Sequence, residues 1–142
     1  MKTIKDFTSQ SHIDASIIRA VIRQMGGWNE FREYARDVVD HGAAGGYGQF
    51  IYYTDTVAFY ARNRAAINRM AGELAENIGD GGIIECVQGF NCLNGEYTAD
   101  EVGAALYGTK SCMNTQIANA LAWFALEEVA RSYMDLTTDG GY

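Results

Sequence analysis

IANALAWFAL, residues 117–126, is apolar at nine of its ten positions, with Asn119 the one polar member. Alanine and leucine are the strongest helix formers, and neither glycine nor proline interrupts them. A surface helix carries its apolar residues as a stripe on one side, whereas a helix apolar on nearly every side is surrounded by other elements. The stretch therefore predicts a central helix, from about residue 114 to residue 134. The fold that follows is all-α, a compact bundle of about six to seven helices around this apolar C-terminal one.

The rest of the chain supplies the surrounding helices. Ile13, Ile17, Ile18, Val21 and Ile22 recur at spacings of three and four, which predicts a helix over 12–25 that Gly26 and Gly27 stop. Phe31, Tyr34, Ala35, Val38 and Val39 form the apolar face of a second helix over 28–41, with Gly42 as its C-terminal cap. The next seven residues, GAAGGYG at 42–48, hold four glycines and read as a loop or hinge.

Beyond that loop, Thr54 or Asp55 caps a helix running through Tyr60, and a further helix spans 63–78, with Ile67, Met70, Ala71, Leu74 and Ile78 on one side. Gly79 ends it. A short helix is expected over 83–90. Thr98 with Glu101 is a capping-box pattern for a helix that ends at Gly108. The tail TTDGGY, 137–142, is expected to fray.

At 142 residues, with 48% hydrophobic and 20% charged side chains, the chain is expected to form a single domain over 1–142 with one core. It contains no apolar run long enough to span a bilayer, and its N-terminus, MKTIKDFTSQ, turns polar before a secretory stretch could form. A cytoplasmic protein without membrane association is expected. Cys86, Cys92 and Cys112 are odd in number and contain no CxxC pair, so free thiols are expected, with neither a metal nor any cofactor.

The net charge of −7 disfavours direct binding of nucleic acid. Its distribution is uneven. Residues 1–72 carry nine Lys or Arg against seven Asp or Glu, whereas residues 73–142 carry two against eleven. Glu73, Glu76, Asp80, Glu85, Glu96, Asp100 and Glu101 follow one another with no Lys or Arg among them. Such a run either keeps the surface soluble or forms a negative patch for a basic groove. In the second case it imitates a duplex backbone, which carries about one charge per 1.7 Å.

Other candidate sites each have a structural alternative. The glycine loop lacks both the GxxxxGK[ST] and the GxGxxG pattern, which favours a tight turn over a phosphate cradle. A small-molecule or nucleotide-binding module built from that loop with Tyr52 or Tyr53 is the alternative reading of function. Asp37 and His41 are spaced i, i+4, as an oriented general base would be, yet no nucleophile motif accompanies them. Glu127 and Glu128 are adjacent and so face different sides of one helix. The aromatic run Tyr47, Phe50, Tyr52, Tyr53, Phe59 and Tyr60 suits a core edge, and Tyr47, Tyr52 and Tyr53 also suit a partner contact. No residue set spells an enzyme. A homodimer stays open, since a core and an interface look alike in sequence.

The segment WNEFREYARDVVDHGAAGGYGQFIYYTDTVAFYARNRAAINRMAGELAENIG, then IIECVQGFN and NALAWFALEEVAR, resembles a family of small uncharacterised phage and plasmid proteins. The likeness runs from Trp28 to Arg131: a polar helix, a glycine-rich turn, an FIYYTDT-like stretch and a terminal LAWYA-like helix. It implies a mobile-element setting in which small acidic proteins inhibit host defences, and it carries over no catalytic residue. The expected function is an anti-CRISPR or other anti-defence inhibitor. Its expected partner is a CRISPR effector or restriction enzyme, met through the acidic residues above.

Overall fold

The computed structural model describes residues 3–41, 53–78, 97–107 and 115–139. These residues form six helices and no strand: α1 Ile4–Gln10, α2 Ala15–Gln24, α3 Trp28–His41, α4 Tyr53–Ile78, α5 Ala99–Tyr107 and α6 Thr115–Asp139. The fold class is all-α, as the apolar segment predicts. The glycine-rich stretch 42–48 and the helix expected over 83–90 lie outside the described residues. The chain divides into two compact units, one of Met1–Tyr52 with Trp123–Tyr142 and one of Tyr53–Ala122.

In the first unit, α1 was not anticipated from the sequence. Thr3 caps it in a reciprocal box: the Asp6 backbone N–H donates to Thr3 Oγ1 at 3.1 Å, and the Thr3 N–H donates to Asp6 Oδ2 at 3.2 Å. Phe7, wholly buried, is the one core residue of this short helix. The expected helix over 12–25 starts instead at Ala15. Asp14 is its N-cap, and Asp14 Oδ1 accepts from the Ser16 N–H at 2.8 Å, so the capping carboxylate and not the apolar period sets the boundary.

The end of α2 falls where the glycines predict. Gly26 adopts φ +103°, its N–H donates to Arg23 O at 3.2 Å, and the Gly27 N–H donates to Ile22 O at 3.0 Å. This pair of bonds is the Schellman arrangement, and its left-handed residue is strained for anything but glycine. Gly27 O in turn accepts from the Phe31 N–H at 3.0 Å, which opens α3 directly. Ile17, Ile18, Val21 and Ile22 of α2, and Phe31, Ala35 and Val38 of α3, are buried at the predicted three- and four-residue spacing.

An aromatic cluster ties this unit together. Phe7 of α1, Trp28 and Phe31 of α3, and Tyr133 of α6 have ring centroids 5.3 to 6.2 Å apart, with Tyr133 edge-on to the other three. Each such pair is worth about 0.5–1.5 kcal/mol beyond the area it buries. The rings come from three segments distant in sequence, so the cluster closes the N-terminal helices onto the C-terminal one.

In the second unit, the two helices expected on either side of Tyr60 and Asn63 are one helix, α4, broken at Asn63 by a non-helical φ of −118° and ψ of 17°. The Asn63 side-chain amide donates to Phe59 O at 2.9 Å, capping the carbonyl four residues back from within the helix. Across the kink the Tyr60 hydroxyl donates to Asn68 Oδ1 at 2.7 Å. Eight residues of straight helix rise about 12 Å, and helical side chains lean towards the N-terminus, so a tyrosine reaches that far forward only over a bend. Phe59, Tyr60 and Ile67 are buried.

The capping box expected for α5 is present: the Glu101 N–H donates to Thr98 Oγ1 at 3.2 Å and the Thr98 N–H to Glu101 Oε1 at 3.3 Å. Val102 is the buried residue of its first turns.

Helix α6 gives its first eight residues to the second unit and the rest to the first. Ile117, Ala118 and every residue from Ala120 to Leu126 are buried, as a helix apolar on all sides requires. Its end lies later than expected. Thr137 is buried at 3% exposure, and its hydroxyl donates to Tyr133 O and Met134 O, both at 3.0 Å. A hydroxyl satisfied within its own helix can enter a core, so the first residues of the TTDGGY tail continue α6 to Asp139 instead of fraying. Among the described residues no helix is long and apolar enough to cross a membrane.

Candidate functional site

The acidic residues singled out in sequence fall within the second unit. Glu73 is exposed on the side of α4 that also shows Arg62, Ala65 and Arg69, at successive spacings of three and four. Asp100 and Glu101 are exposed in the first turn of α5, where carboxylates favour the positive end of the helix dipole. Glu101 also has a structural task, since its carboxylate completes the box with Thr98 and accepts the Thr98 hydroxyl at 3.2 Å. Glu76 occupies the last turn of α4, but its side chain lies outside the described residues, as do Asp80, Glu85 and Glu96. Glu73, Asp100 and Glu101 are therefore the described part of the candidate surface.

Charge is shared between the two units more evenly than between the two halves of the sequence. The first unit carries seven Lys or Arg against ten Asp or Glu, and the second four against eight. The reason is topological, because Glu127, Glu128, Asp135 and Asp139 belong to the C-terminal helix that completes the first unit. The cation-free run from Glu73 to Glu101 nevertheless stays within one unit.

Of the tyrosines expected at a partner surface, Tyr47 and Tyr52 lie outside the described residues, and Tyr53 is the first residue of α4 with its side chain undescribed. Phe59 and Tyr60, from the same aromatic run, are core residues. Burial pushes the Tyr60 phenol above its ordinary value, against a smaller opposing pull from the Arg64 charge. The glycine loop with its nucleotide-binding alternative and all three cysteines also lie outside the described residues. Asp37 is half-buried on α3, and His41 is the terminal residue of that helix, where the sequence places it. Among the described residues no group of His, Cys, Asp and Glu side chains is gathered to hold a metal.

Two arrangements escaped the sequence reading. Arg32 lies 5.8 Å from the Trp28 ring centroid and donates from Nε to the Tyr133 hydroxyl at 3.2 Å, so a surface cation is fastened to the aromatic cluster. The second concerns the adjacent glutamates. Glu127 accepts from Arg131 one turn on at 3.3 Å, whereas Glu128 is half-buried. Burial raises the Glu128 carboxyl above its usual range; Arg131 and His12 pull it down, while Glu127 and Asp135 push it further up. His12 is exposed in the turn between α1 and α2.

The chain belongs to a family described as a domain of unknown function, DUF7222, whose model matches residues 3–139 and so spans both units. No curated protein and no solved structure matches it significantly.

Proposed function

We propose that this DUF7222 protein is a non-enzymatic inhibitor from a phage or other mobile element. It acts in the host cytoplasm by binding a nucleic-acid-handling defence complex, foremost a CRISPR effector and otherwise a restriction enzyme, and by blocking that complex's nucleic-acid site. The observation that carries this reading is the seven-carboxylate run from Glu73 to Glu101 without a single cation, its described members Glu73, Asp100 and Glu101 all facing solvent.

A groove built from Lys and Arg to neutralise phosphates accepts carboxylates presented in a row. Steering between opposite charges raises the rate of encounter, and the inhibitor then competes with nucleic acid for the same cations. Such a mechanism needs neither a catalytic residue nor a cofactor, and the net charge of −7 keeps the protein off nucleic acid itself. The resemblance to phage and plasmid proteins supplies the setting.

The test is capture of partners by the tagged protein from a lysate containing CRISPR and restriction systems, with identification by mass spectrometry and a second wash in high salt. The expected result is a nucleic-acid-binding defence complex that salt releases, because exposed charge pairs are screened within about 10 Å at 0.1 M. A complex indifferent to salt contradicts charge mimicry, and recovery of no defence component contradicts the inhibitor role.

A further inference from the structure

Helix α4 turns Phe59, Tyr60 and Ile67 into the core. Its outer side is exposed at Arg62, Ala65, Arg69 and Glu73, positions three and four apart, and Glu76 takes the next place in that spacing, in the last turn. Charge along this side changes sign once. From residue 56 to residue 72 the chain holds Arg62, Arg64 and Arg69 and no carboxylate, whereas from Glu73 to Glu101 it holds seven carboxylates and no cation. A helix face that is cationic towards one end and anionic towards the other complements its own reverse. Laid antiparallel, two such faces set cation against carboxylate at both ends; laid parallel, they set like charges together. Reversal about a twofold axis is also the symmetry of an isologous dimer, which closes on itself. Ala65, between the two exposed arginines, adds little bulk where two helices would meet.

We propose that a second copy of this chain docks on this face, α4 against α4 and antiparallel, so that Arg69 of each copy lies over the partner's Glu73 and Arg62 reaches towards the turn that holds the partner's Glu76. With the twofold axis level with residue 71, Arg69 and Glu73 lie on either side of it, each about 3 Å along the helix at a rise of about 1.5 Å per residue. Each copy carries a net charge of −7, so the copies repel at long range and the dimer depends on pairs at contact distance. Salt at about 0.1 M screens charges more than about 10 Å apart but acts less on partly buried pairs, so the repulsion fades first. Exposed ion pairs are individually weak, which makes the dimer reversible. Under the proposed function a basic groove competes with the second copy for Glu73 and Glu76; the dimer itself does not rest on that reading.

Sedimentation equilibrium of the full chain reads the association directly. At about 0.1 M salt the wild type is expected to be a monomer–dimer mixture, with a dissociation constant that rises about threefold or more by about 0.5 M. Arg62→Glu with Arg69→Glu makes the face wholly acidic, and Glu73→Arg with Glu76→Arg makes it wholly basic. Each double variant alone is expected to dimerise about tenfold more weakly than the wild type, with unchanged helical content by circular dichroism. Mixed in equal amounts, the two are expected to form a heterodimer tighter than either variant with itself, a gain that a folding defect cannot produce. A wild type that stays monomeric at every concentration overturns the dimer, as does one whose association is indifferent to salt, a series that needs no variant. A mixture that associates no better than its components also overturns it, because the contact then lies elsewhere. None of these readouts involves a defence complex, so the dimer and the proposed function stand or fall separately.

Discussion

Contacts of different range can be traced in the described parts of the two units. In the first, Phe7, Trp28, Phe31 and Tyr133 converge from three helices, and Ser11 meets Ser132 across nearly the whole length of the chain. In the second, the bonds of Asn63 to Phe59, Tyr60 to Asn68 and Thr98 to Glu101 join residues close in sequence. Long-range aromatic burial makes the first unit depend on single large side chains. Local bonds shape individual helices of the second, where Glu73 and Asp100 are exposed and Glu101 completes a cap.

The sharpest way to break this contrast is Phe31→Ala. Phe31 is wholly buried and lies within 5.9 Å of three other rings, so its removal is expected to cost about 3–5 kcal/mol, measured by denaturant unfolding. A loss below about 1 kcal/mol would remove the aromatic cluster from its central place. Tyr60→Phe takes only a hydroxyl from the second unit and strips one partner from Asn68, for an expected loss of about 1–2 kcal/mol. It should also relax the bend of α4, which residual dipolar couplings on either side of Asn63 would detect; an unchanged bend would show that the kink needs no strap. Smallest is Thr98→Ala, expected to cost about 1 kcal/mol and to raise exchange only in the first turn of α5.

These differences also explain what could be read from sequence. Residues 28–41 were legible to the boundary, because a clear apolar period runs between a glycine start and a glycine stop. The gap expected between Tyr60 and Asn63 is real as a kink, which local pattern can signal but cannot distinguish from a break. Helix α1 stayed hidden although Thr3 and Asp6 repeat the logic of Thr98 and Glu101. Seven residues with one buried side chain hold no readable period, and Phe7 earns its place through rings far along the chain. Glu128 escaped for the same reason, since its partial burial comes from the fold and not from spacing. The acidic run needed no fold to be noticed. Its division among units did, because the C-terminal acids return to the first unit.

The most direct test of the proposed function is competition: displacement of a labelled DNA duplex from a captured CRISPR effector or restriction complex by the wild-type protein and by a variant carrying Glu73→Lys, Glu76→Lys and Asp80→Lys. The expected result is that the wild type displaces the duplex, less well as salt rises, while the folded variant loses displacement by about tenfold or more. A variant that retains its helical content and displaces the duplex as well as the wild type would contradict mimicry of nucleic acid by this surface.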